Sequence, residues 1–366
     1  MPGLRGFRTG LLALSLLGCT AQAVPPLPVH VGGRAIRNAD GSLTFGWPAV
    51  YIEGRFRGTG VSVAVETQTD RLRLLIDGVQ RGMLEPGSTS LTVSGLPSGN
   101  HLIRLEKLSE SQAGGTRFIG FYPSDSSKPL PAPPESRLEI EYIGDSHSVG
   151  YGDLSTSRDC TGQQVHDTTD SQQAFGPLLA RRFGADYRVI AYSGRGIVRN
   201  YNGGPGESLP SLYPRMKPDD GTDLEREPGS WHPQLIVINL GTNDFSTPVH
   251  PGEAWPNDSA LRADYRDKYA AFARMLMAKQ PQAHLVLMGG DNFQAEVEHI
   301  ATALNGERPG RALTLPAGPM EHTGCHYHPS LKDQKMMADG LQSLLERHPE
   351  IWARGEIAKA ARIDRR

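Results

Sequence analysis

The sequence predicts two folded units: a β-sandwich or jelly roll in front, and an α/β domain with a mostly parallel sheet behind it. Three observations carry that expectation. Residues 30–125 contain short β-like runs separated by turn residues, with no helical period. A stiff proline run, Lys128-Pro129-Leu130-Pro131-Ala132-Pro133-Pro134, follows. From residue 137 strands alternate with helices, the pattern of a sheet covered on both faces. At 366 residues the chain is long enough for both cores.

Taken in order, the chain begins like an export signal. Arg5 and Arg8 supply positive charge, Leu11 to Leu17 an apolar core, and Ala21-Gln22-Ala23 a small-residue cleavage site, which makes residues 1–23 a signal peptide. The apolar run is too short to span a bilayer. A competing reading takes Leu16-Leu17-Gly18-Cys19 as similar to a bacterial lipobox, which would leave Cys19 lipidated. Leu17 fits that pattern imperfectly, so cleavage after Ala23 is the expectation, with a secreted or periplasmic product. No later segment reads as transmembrane.

The front domain spans 24–127, with β-like runs such as Leu43–Phe45, Gly60–Val65, Leu72–Ile76 and Leu102–Leu105. Asp77-Gly78 and Ser98-Gly99-Asn100 supply turn chemistry between them. Residues 128–136 form the linker and 137–366 the second domain. There the strands are Leu138–Ile143, Tyr187–Ala191, Leu235–Leu240, His284–Met288 and Ala312–Leu315. The helices are Gln172–Phe183, Leu261–Lys279, Asn292–Leu304 and Leu331–Arg347. Tyr201–Trp231 is a long insertion rich in Pro, Gly and Asp.

A net charge of −2 and the absence of any block of five like charges argue against a nucleic-acid partner. After cleavage at Ala23 two cysteines remain, Cys160 and Cys325. In an exported protein an even pair favours a disulfide over two independent buried thiols. Such a bridge would tie the loop after Ser146 to the loop holding His328.

Three stretches carry chemistry: Gly144-Asp145-Ser146, Gly241-Thr242-Asn243-Asp244 and His326-Tyr327-His328-Pro329. The first two follow predicted strands and the third precedes the last helix, so all three belong at the carboxyl edge of the sheet. A serine hydroxyl needs a base to take its proton as it attacks. Histidine serves best near neutral pH. Fixed donors must then meet the oxyanion. Ser146, His328 and Asn243 supply the three functions. Alone, each stretch is weak, since Asp, Asn and Ser are common turn residues.

The set Gly144–Gly152, Tyr192-Ser193-Gly194-Arg195-Gly196, Gly241–Asp244 and His328-Pro329 resembles the four sequence blocks of SGNH (GDSL-type) hydrolases over residues 137–350. With a β-rich domain in front, the chain is similar to carbohydrate esterase family two. That resemblance implies a three-layer α/β/α (flavodoxin-like) hydrolase domain behind a jelly roll, and an acetyl esterase acting on acetylated oligo- or polysaccharides of xylan or glucomannan type. It implies Ser146 as nucleophile, His328 as base and an oxyanion hole of Ser146, Gly194 and Asn243, with Gly196 as the alternative glycine. No cofactor is implied.

One departure stands out. The family usually places an aspartate two or three residues before the histidine, where this chain has His326 and Cys325. A Ser–His dyad is therefore expected, with a backbone carbonyl or a distant acid orienting His328, or with His326 bonded to a carboxylate elsewhere. Asp145 reads as a residue that shapes the turn. Cys325, His326 and His328 lack the accompanying ligands of a zinc site, so no metal is assigned. Trp231, Tyr151, Tyr192 and Tyr327 are aromatic residues that could stack on sugar. The alternatives are a short-chain acyl esterase or lipase-like hydrolase with another substrate, and a non-catalytic saccharide-binding protein.

Overall fold

The computed structural model describes residues 25–124, 126–225 and 229–352. The expected signal peptide, residues 1–23 with Cys19, lies outside the described residues. Eleven strands build the front domain: β1 (Val29–Gly32), β2 (Ile36–Arg37), β3 (Leu43–Phe45), β4 (Tyr51–Gly58), β5 (Val61–Thr67), β6 (Leu72–Ile76), β7 (Val79–Leu84), β8 (Ser90–Val93), β9 (Gly99–Lys107), β10 (Thr116–Pro123) and β11 (Lys128–Pro129). One sheet runs β1-β4-β9-β6-β7, with β11 also on β4, and the other β2-β3-β10-β5-β8. Strict alternation of buried and half-buried residues in β6 shows why these runs choose strand: one face must be covered. Val61, Val63, Val65, Leu72, Leu74, Ile76, Phe118 and Phe121 fill the space between the sheets.

The second domain carries β12 (Glu139–Gly144), α1 (Ser146–Val149), α2 (Gly162–Thr168), α3 (Phe175–Phe183), β13 (Asp186–Ala191), α4 (Leu209–Leu212), β14 (Arg215–Lys217), β15 (Asp220–Leu224), β16 (Leu235–Asn239), α5 (Asp258–Lys279), β17 (His284–Met288), α6 (Gln294–Glu307), β18 (Ala312–Leu315) and α7 (Leu331–Glu346). Its parallel sheet has the order β13-β12-β16-β17-β18. Every residue of β12, β16 and β17 is buried, as expected of strands covered on both faces. Helices α5 and α6 cover one face, and α3 and α7 the other. Gly144 pairs with Ala191 on one side and Asn239 on the other, so β12, β13 and β16 end level at one edge.

Three expectations need adjustment. The helix expected over Gln172–Phe183 is α3 and starts at Phe175, because Ser171 and Gln172 are already committed to the front domain: Ser171 N–H donates to Leu108 O (2.9 Å) and Gln172 Nε2 to Ala49 O (3.0 Å). The insertion holds α4 and the antiparallel hairpin β14–β15, both unforeseen. The proline run is no free tether, since Lys128-Pro129 pairs with β4 and Leu130 N–H donates to Arg55 O (3.0 Å).

The two units share their packing. Trp47 of the front domain is fully buried within the core cluster of the α/β domain. Arg34, also buried, reaches Glu141 (3.4 Å) and Glu225 (3.2 Å). Arg104 bridges Glu53 (2.6 Å) and Tyr187 Oη (2.8 Å) while stacking on Tyr51. Among the described residues, no helix is long and apolar enough to cross a membrane.

Candidate active site

Ser146 opens α1 directly beyond β12 and is buried. Asp145 caps the helix: its Oδ1 accepts from His147 N–H at 3.0 Å. This turn aims Ser146 Oγ at His328, whose Nε2 lies 2.9 Å away across 182 residues of sequence. The other ring nitrogen, Nδ1, is 2.9 Å from the carbonyl oxygen of Cys325. A carbonyl can only accept, so Nδ1 carries the hydrogen and Nε2 presents its lone pair to Ser146. The orienting group is thus main chain, and the ring needs no carboxylate.

The turn that supplies this carbonyl is tightly built. Cys325 is fully buried and joined to Cys160 by a disulfide. A Cβ on Gly152 would sit 2.4 Å from that of Cys325, so only glycine lets the two loops approach. His326 and Tyr327 both adopt positive φ, +52° and +63°. Such left-handed non-glycine residues cluster at functional sites, held there by their surroundings. The exposed His326 bonds Tyr151 Oη (3.1 Å) and the Cys160 carbonyl (2.8 Å); the alternative that it contacts a carboxylate is not what the structure has. Arg158 secures the outer side through the carbonyls of His322 (2.7 Å) and Glu321 (2.8 Å).

Burial sets the electrostatics. It is the main cause that lowers the His328 pKa to about 4, with the bond to the Cys325 carbonyl working the other way. The imidazole is therefore neutral, as a base must be, at any pH well above that value. His147, edge-on to His328 at 5.8 Å between ring centres, is pushed down to about 3 by burial. Tyr151 lies against the His328 ring at 4.3 Å.

The residues expected to supply oxyanion donors lie on adjoining loops. Asn243 Nδ2 donates to Asp145 Oδ2 (3.1 Å) and to Arg195 O (3.0 Å), which places its amide between the serine turn and the loop holding Gly194. Gly194 takes φ +82°, accessible to glycine without strain, and its carbonyl accepts from Tyr201 N–H at 2.9 Å. Burial raises the Asp145 pKa to about 7. An Asn-Asp pair after a strand is commonly turn chemistry, and the sequence assigns Asp244 no other role. In the structure the Asp244 carboxylate accepts from Ile197 (3.0 Å), Val198 (2.8 Å) and Arg199 (3.0 Å) N–H, and so ties the Asn243 loop to the loop after Gly194.

Of the aromatic residues singled out, Tyr151 touches the base and Tyr327 stands 67% exposed beside it. Tyr192 is half-buried, with Arg195 over its ring at 4.9 Å. Trp231 is misplaced in the stacking expectation: it is buried ahead of β16, at the opposite end of the strand from Asn243, under Arg188. Tyr201, 63% exposed next to Gly194, was missed, because nothing in the local sequence marks an exposed tyrosine in an insertion. Among the described residues, no group of three His, Cys, Asp or Glu could hold a metal ion.

A serine–imidazole pair at the carboxyl edge of a parallel five-stranded sheet defines a hydrolase of the GDSL class, and the model of the GDSL-like lipase/acylhydrolase family matches residues 142–335. Residues 31–133 match the carbohydrate esterase 2 N-terminal model. The chain therefore belongs to carbohydrate esterase family two. An acetylxylan esterase/glucomannan deacetylase of Cellvibrio japonicus is 40% identical over 356 residues, covering 94% of this chain and 98% of that protein. A solved carbohydrate esterase, whose active site is reported to display divergent catalytic and non-catalytic binding functions, is 39% identical with a TM-score of 0.84, covering 90% of this chain and all of its own. A family two carbohydrate esterase from Clostridium thermocellum in complex with cellohexaose is 26% identical with a TM-score of 0.79, over 88% of this chain and 99% of that one.

Proposed function

We propose that this protein is a serine esterase that removes acetyl groups from acetylated saccharides of xylan or glucomannan type. The observation that carries it is the Ser146 Oγ–His328 Nε2 pair at 2.9 Å with Nδ1 fixed by a carbonyl. Ser146 Oγ attacks the ester carbonyl carbon as its proton passes to His328 Nε2. Negative charge on the former carbonyl oxygen is met by the N–H groups of Ser146 and Gly194 and by Asn243 Nδ2, for which one hydrogen of the amide is shared away from Asp145 or Arg195. The imidazolium returns its proton to the departing sugar oxygen, leaving acetyl-Ser146. Water then bonds the acetyl carbon as His328 takes its proton, the bond to Ser146 Oγ breaks with that proton returning to Oγ, and acetate leaves. Tyr327 and Tyr201 flank the pair as faces on which sugar rings stack.

The substrate class is supported by the names of the relatives. Export to a secreted or periplasmic location is our reading of the leader, with an outer-membrane lipoprotein held at Cys19 as its alternative. A second function has one specific support, the similar esterase with non-catalytic binding at its active site. Acetate release from acetylated xylan and glucomannan separates the two, with Ser146→Ala as control. The substitution is expected to lower kcat by at least about a thousandfold. Equal inactivity of wild type and Ser146→Ala on every ester, with saccharide binding retained, would leave binding as the function.

A further inference from the structure

We propose that Glu110, contributed by the front domain, is a positioning residue that sets the oxyanion donor of Gly194 through the Ser193 amide; this rests on the esterase function proposed above. Ser193 N–H donates to Glu110 Oε1 at 2.7 Å. One residue on, the Gly194 carbonyl is tied to Tyr201 N–H at 2.9 Å. The peptide between those ties is the one whose N–H is Gly194's. Both flanking peptides are tied, and the left-handed Gly194 (φ +82°) in the turn closed by Arg195 N–H to Tyr192 O selects the direction of that hydrogen.

The carboxylate is itself delivered by a loop with little freedom. Glu110 lies between β9 and β10, where Lys107 is fully buried and bonds Asp70, the Ser109 carbonyl (2.7 Å) and Ser111 Oγ (2.8 Å). Leu108 O accepts from Ser171 N–H (2.9 Å), and Gly114 N–H donates to Asp219 Oδ2 (2.8 Å), so the loop is pinned to the α/β domain on both sides of Glu110. Burial is the main cause that raises the pKa of Asp145 and Tyr151, and the nearby Glu110 adds to both. Burial in turn pushes the Glu110 carboxyl up, which softens the cost of an acid near a developing oxyanion. The front domain then belongs to the catalytic apparatus rather than standing beside it.

Steady-state kinetics on 4-nitrophenyl acetate and on acetylated xylan, with melting temperatures, test this in wild type, Ser146→Ala, Glu110→Met, Glu110→Gln and Glu110→Asp. Methionine keeps the length and loses the acceptor. It is expected to lower kcat about ten- to a hundredfold on both esters, as small displacements of catalytic groups do, with KM within about twofold. Glutamine keeps an acceptor oxygen and should recover kcat to within about threefold of wild type. Wild-type kcat in Glu110→Met overturns the proposal while leaving the esterase function standing. So does a loss carried by KM on xylan alone, which would make Glu110 a sugar contact, or a Glu110→Gln as deficient as Glu110→Met. Should Glu110→Met not fold, Glu110→Asp decides, because its shorter side chain withdraws from Ser193: reduced kcat at unchanged KM supports the role, and wild-type kcat rejects it. If wild type is no more active than Ser146→Ala, the esterase function fails and the positioning role falls with it.

Discussion

At His328 a buried imidazole, with a carbonyl on one nitrogen and a serine on the other, has its pKa depressed to about 4. The free base is the working form, so kcat/KM should stay level from neutral pH down to about 5. It should halve near pH 4, well below the 6.5 of an ordinary histidine. A pH profile of 4-nitrophenyl acetate hydrolysis checks this, and an acid limb centred near 6.5 would contradict it. The dyad was legible in the sequence because Ser146 and His328 each sit at the end of a recognisable element. Glu110 was not, since its role depends on a contact made across 83 residues with a different domain. Asp244 hid for another reason: an Asn-Asp pair after a strand has the signature of a turn, and three backbone donors from residues 197–199 cannot be seen from it.

Among the elements, the turn Cys325–Tyr327 governs the base, and the disulfide holds that turn to the loop after Ser146. Cys160→Ser should act twice. Opening a bridge between residues 165 apart costs about 2–5 kcal/mol, visible as a lower melting temperature. A turn freed to drift also misplaces the Cys325 carbonyl, and kcat should fall about tenfold or more while KM changes little. A variant with wild-type kcat would show that Arg158 and Gly152 hold the turn unaided. Both cysteines stood out in the sequence as an even pair. Regular strands and helices were legible as well, because their period follows burial: β17 and β18 have the expected bounds. Pairing that depends on tertiary partners was not. The hairpin β14–β15 and the short strand β11 contain proline or charged residues that local pattern assigns to loops.

As a whole the molecule has two domains by sequence, and the front one lends Trp47, Ala49 and Tyr51 to the cores of the other. Trp47 fills the α/β core from outside it, and Arg34 and Arg104 cross the same boundary. The boundary itself was legible as a change of period, but Trp47 and Arg34 lie outside regular strands and carry no periodic signal of what they meet. Thermal unfolding should accordingly show a single calorimetric transition. Trp47→Ala should lower stability by about 3–5 kcal/mol, shifting that transition without splitting it. Two separate transitions in wild type would mean that the interface is weaker than its burial implies.

A histidine oriented by a carboxylate can be disarmed by one codon change at the acid. Here the acceptor is the carbonyl of residue 325, and every amino acid brings one. No side-chain replacement at that position deletes the acceptor, so losses there come only through geometry. Vulnerability moves to the neighbours that fix the path of the main chain, Gly152, Gly324 and the two left-handed residues His326 and Tyr327. Saturation mutagenesis of this segment should therefore trace backbone conformation instead of functional-group chemistry.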